Sequence, residues 1–125
     1  MTERHQKALE QAIEHILKSY SGTMAIFLHG NNIELESDGN DDLNFYIVHS
    51  EPYSQHARIP FDGVNCNLWV NNLKQTYEYI QLEPANKKSN TAVILATGRI
   101  VHGERNQGIM DLVNRAKKVA GSNLQ

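Results

Sequence analysis

One cysteine, Cys66, stands in 125 residues, so no disulfide can close within the chain. It lies between two asparagines in an apolar stretch, and reads as a buried small hydrophobe rather than a reactive thiol. Only three prolines are present, and no segment has the composition of a linker, a repeat or a low-complexity tract. Neither sign of charge dominates: 12 basic against 14 acidic residues leave a net charge of −2. Nucleic acid is therefore not indicated as the main partner, although net charge does not report local patches. No apolar run approaches the roughly 20 residues needed to span a bilayer. The N-terminal MTERHQKALEQ is polar and helical in pattern, unlike a signal peptide. These absences lead us to expect a cytoplasmic chain with 1–125 as one domain.

Two catalytic classes also lack their signatures. The six histidines show no HxH or HExxH spacing, which argues against a zinc site. Ser21 and Ser50 have no convincing His and Asp partners, so a hydrolase triad is not supported.

What is present is a clear alternation of element types. Leu9, Ala12, Ile13, Ile16 and Leu17 lie on one helical face, which predicts a helix over about 3–19, stopped near Gly22. Met24 to Leu28 is a run of strand length, and 29–41 is rich in turn residues. Leu43 to His49 alternates as a strand. Arg58 to Phe61 predicts a short strand broken by Pro60, followed by an Asp62-Gly63 turn and a strand over 64–70. Asn71-Asn72 then caps a helix that Pro84 ends. A short helix over 90–96, a strand over 99–102 and a final helix stopped by Gly121 complete the order. Helices and strands mixed in this way predict an α+β fold, a small sheet with helices packed against it.

The segment from Ala25 to Val48 carries the chemistry. An apolar run ends in Gly30-Asn31, ten residues intervene, and Asp42-Leu43-Asn44 opens the next apolar run. Two side chains at i and i+2 on a strand share a face and can share a metal ion, and a third on a neighbouring strand completes a clamp. A glycine at the end of the preceding strand lets backbone N–H groups approach phosphates. Gly30 and Asn31 hold the cradle position, and Asp42 and Asn44 the paired one. The third falls to Asn65 or Asn67, which share one face of the strand over 64–70.

This layout resembles the nucleotidyltransferase superfamily, the fold of DNA polymerase beta, and in particular its minimal single-domain members. The family pattern is a hydrophobic strand, Gly-Ser, ten residues, Asp-x-Asp and a second hydrophobic strand. The ending ILATGRIVHGERNQGIMDLVNRAKKVA is also similar to the family's Gly-Arg, two apolar residues, turn and final helix. Together these cover roughly residues 10–120.

The resemblance implies binding of a nucleoside triphosphate such as ATP with Mg2+, and transfer of a nucleotidyl group to a hydroxyl. Asp42 would hold metal, Gly30 and Asn31 would cradle phosphates, and Asn44 and Asn67 would be altered ligands. The departures point the other way. Asn31 stands at the family's Ser, Asn44 at its second Asp, and Asn65 or Asn67 at its third acidic residue. An amide carries no charge to hold magnesium, so catalysis is expected to be weakened or lost. Asp38, Asp41 and Asp62 lie close enough in sequence to be considered as substitutes. The alternative is a non-catalytic module on the same fold, pairing with a protein such as the helical toxin of a toxin–antitoxin system, or with itself.

Three other groups have weaker claims. His29 and His49 could flank the cleft at strand ends. Trp69, Tyr77 and Tyr79 could stack a base, and Lys87, Lys88 and Arg99 could meet phosphates. For each, packing or a solvated surface is the commoner outcome.

Overall fold

A computed structural model describes residues 3–30, 42–83 and 90–123. The chain runs α1 (Glu3–Ser19), β1 (Thr23–His29), β2 (Leu43–His49), β3 (Gln55–Phe61), β4 (Val64–Asn72), α2 (Leu73–Leu82), α3 (Thr91–Thr97), β5 (Arg99–His102) and α4 (Gln107–Asn123). The five strands form one sheet in the order β3-β4-β2-β1-β5. Every neighbouring pair is antiparallel except β2 and β4, which run parallel. The chain leaves β2, passes beyond the slot that β4 will fill, and returns through the hairpin β3–β4. The fold is α+β, as the element order predicts.

Side-chain alternation along the strands divides the core in two. Leu43, Phe45 and Ile47 of β2 join Cys66, Leu68 and Val70 of β4 beneath α1, whose Ala8, Leu9, Ala12 and Ile16 cover them. Tyr46 and Val48 point the other way, with Phe27, and meet Ile80 of α2, Leu95 of α3, and Ile109 and Leu112 of α4. Burying a side chain such as Phe45 or Leu112 contributes roughly 1.5–3 kcal/mol. β2, at the centre of the sheet, is therefore largely apolar on both faces between Asn44, near its start, and His49, at its end.

Local chemistry explains most element ends. Asn72 caps α2 by accepting from the Gln75 N–H at 2.7 Å. Asn90 caps α3, accepting from the Ala92 N–H at 2.8 Å and the Val93 N–H at 3.3 Å. Asp62 and Gly63 both have positive φ, 50° and 80°, the two-residue turn that joins twisted strands. Cys66 is fully buried, and burial, with the charge of Asp42 adding to it, pushes its thiol up to about 12.

Three boundaries depart from expectation. β3 begins at Gln55 and runs through Pro60. It is an edge strand, where a missing N–H need not cost a ladder bond. Asn71 is not part of the cap; its side-chain amide donates to the Tyr46 hydroxyl at 3.2 Å. The final helix does not stop at Gly121 but continues to Asn123. A helical glycine costs only about 1 kcal/mol relative to alanine, so Gly121 is a weak stop without a left-handed turn after it. Pro84 lies outside the described residues, and α2 has already ended at Leu82 before it.

Gly103, between β5 and α4, has φ +92°, and a Cβ there would sit 2.2 Å from the Met24 carbonyl oxygen. A Cβ on Gly121 meets nothing within 4 Å. Gly103→Ala should therefore lower unfolding stability by more than about 2 kcal/mol. Gly121→Ala should raise it by up to about 1 kcal/mol. Urea denaturation of the two variants checks both signs.

Candidate functional site

The pairing register sets the site. Parallel β2 and β4 place Asn44 opposite Asn67. Antiparallel β1 places His29 opposite Asn44, and antiparallel β3 places Arg58 opposite Asn67. His29, Asn44, Asn67 and Arg58 thus form one row across four strands. Asp42, two residues before Asn44, joins that row at the end of the sheet.

The contacts within the row are specific. The Asn67 side-chain N–H2 donates to Asp42 Oδ2 at 3.2 Å and to Asn44 Oδ1 at 3.0 Å. Arg58 Nη2 lies 3.2 Å from the same Asp42 oxygen. The Arg58 side chain is 59% exposed and that of Asp42 30%. At that exposure the ion pair adds at most about 1 kcal/mol, but it neutralises the carboxylate locally. Gly30 follows β1 with φ +98°, and a Cβ on it would lie 2.9 Å from Asn44 Nδ2. Glycine lets the chain pass close over the row.

Three of the residues singled out in the sequence, Asp42, Asn44 and Asn67, are therefore brought together, with Gly30 beside them. Asn65 is the next residue on the same face of β4, but it is exposed and pairs with Pro60. Asn31, Asp38, Asp41, Lys87 and Lys88 lie outside the described residues. Asp62 sits in the β3–β4 turn. Among the described residues no three His, Cys, Asp or Glu side chains converge as a metal site would require. Arg58 is the residue that sequence reading missed. The Asp62-Gly63 turn held the signal: a two-residue turn pairs Phe61 with Val64, and counting back three residues pairs Arg58 with Asn67.

Magnesium takes oxygen ligands in an octahedron, with carboxylates preferred. Here an amide N–H2 points between Asp42 and Asn44, and a guanidinium sits on Asp42. The described residues do not fit a divalent cation.

Beside the row, on the same sheet face, lies an open cavity of about 650 Å3. His29, Tyr46, Trp69, Asn71, Tyr79 and Glu83 are among the residues around it. Trp69 stacks on His56 at 4.7 Å between ring centroids, and the His29 ring lies tilted against it at 5.7 Å. The Tyr46 hydroxyl lies 3.2 Å from Thr76 Oγ1, and burial raises Tyr46 to about 12. Tyr77 packs in the core instead. Arg99 is exposed on β5. His49 does not flank the cleft. It pairs with Thr23 at the opposite end of β2, and its Nε2 donates to the Tyr53 carbonyl at 2.6 Å.

His29 Nε2 is buried without a hydrogen-bond partner among the described residues, and burial lowers its pKa from 6.5 to about 4. The unfolded chain therefore binds this proton at a higher pH than the folded chain. His29 costs nothing above pH 6.5, and stability falls as the pH drops from 6.5 toward about 4. His29→Gln should flatten that part of the stability–pH curve, as measured by urea unfolding at a series of pH values.

No protein-family model matches the chain, and no curated protein matches it in sequence. Among solved structures, the chain is similar to a nucleotidyltransferase-like protein from Exiguobacterium sibiricum 255-15, with a TM-score of 0.63 over 87% of this chain and 17% identity. It spans 38% of that protein's chain. The likeness at this identity is one of fold: four helices and a five-stranded mixed sheet in a nucleotidyltransferase-like arrangement.

Proposed function

We propose that this chain is a nucleotidyltransferase-like domain that acts by association, with metal-dependent nucleotidyl transfer lost. The observation that carries the reading is the orientation of Asn67. Its N–H2 group is shared between Asp42 and Asn44, at the place where the resembling family has a cluster of carboxylates. Nucleotidyl transfer depends on divalent cations to hold the phosphates and stabilise developing charge. The Asn67 N–H2 group and the Arg58 guanidinium offer no oxygen where they point, and Asp42 is a poor sole anchor for two metals.

What stays is the scaffold. A polar row closed on itself by side-chain hydrogen bonds costs little to keep and needs no ion to balance it. A domain that keeps this architecture without the carboxylates has its surface and cavity left to work with. The partner in this reading is a protein, either a helical chain or a second copy. A nucleotide, if held at all, would be met by Gly30, Asn31 and Arg58 without a metal.

Titration of 15N-labelled protein tests the reading. Mg2+ and Mn2+ up to about 10 mM should give no saturable shifts at Gly30, Asp42 or Asn44, and any response to ATP should be the same with and without Mg2+. The double substitution Asn44→Asp with Asn67→Asp should create divalent-cation binding that the parent lacks. Tight Mg2+-dependent binding of ATP by the unmodified protein would sink the reading.

A further inference from the structure

We draw no further inference here: the strongest candidate, the open cavity between the sheet and helices α2 and α3, does not select the chemistry of a guest, because its one described carboxylate, Glu83, already accepts from the Thr91 N–H, the Trp69 ring is already met by His56 and His29, and residues 84–89, which follow Glu83, lie outside the described residues.

Discussion

The parallel pairing of β2 with β4 is the constraint on which the rest depends. It fixes Asn44 opposite Asn67 and Leu43 opposite Cys66. Shifting that pairing by one residue would turn either Phe45 and Ile47 or Leu68 and Val70 away from α1, so the register is held by the whole apolar face. The polar row is a by-product of this core. Asp42, Asn44 and Asn67 meet because the apolar residues between them must face the other way. The scaffold brings the three positions together whatever polar groups occupy them.

Exchanging carboxylates for amides changes the electrostatics of the row. Three carboxylates held this closely repel one another and depend on cations for balance. One carboxylate, two amides and an arginine balance without help. Asn67 donates in both directions, Asp42 accepts from both Asn67 and Arg58, and the charges offset. Beside this row lies a cavity whose described lining includes one carboxylate, Glu83, which accepts from the Thr91 N–H.

Much of this was legible in the sequence. Alternation gave β2 to the residue, because both of its faces are packed and each apolar position is needed. Asn72 and Asn90 marked helix starts because their side chains accept from N–H groups that are otherwise orphaned. Spacing also put Gly30, Asp42 and Asn44 into one neighbourhood. It could not choose between Asn65 and Asn67, since a period of two places both on one face, and only strand register separates them. Arg58 escaped because Pro60 made its strand look short, although Pro60 is tolerated at the sheet edge. Gly121 misled because a single glycine is a modest cost inside a packed helix. His29, Trp69 and Tyr79 stood out in the sequence as cleft or stacking candidates, but their meeting around one cavity with Glu83 arises only when α2 packs on the sheet.

The central claim is that the Asn67 amide occupies the place of a metal ligand. Anomalous diffraction from crystals grown with Mn2+ and a non-hydrolysable ATP analogue tests it most directly. The account predicts no manganese peak among Asp42, Asn44 and Asn67, with the Asn67 N–H2 still bridging the other two. A manganese ion bound there, with the Asn67 side chain turned to present its oxygen and Arg58 displaced from Asp42, would contradict it.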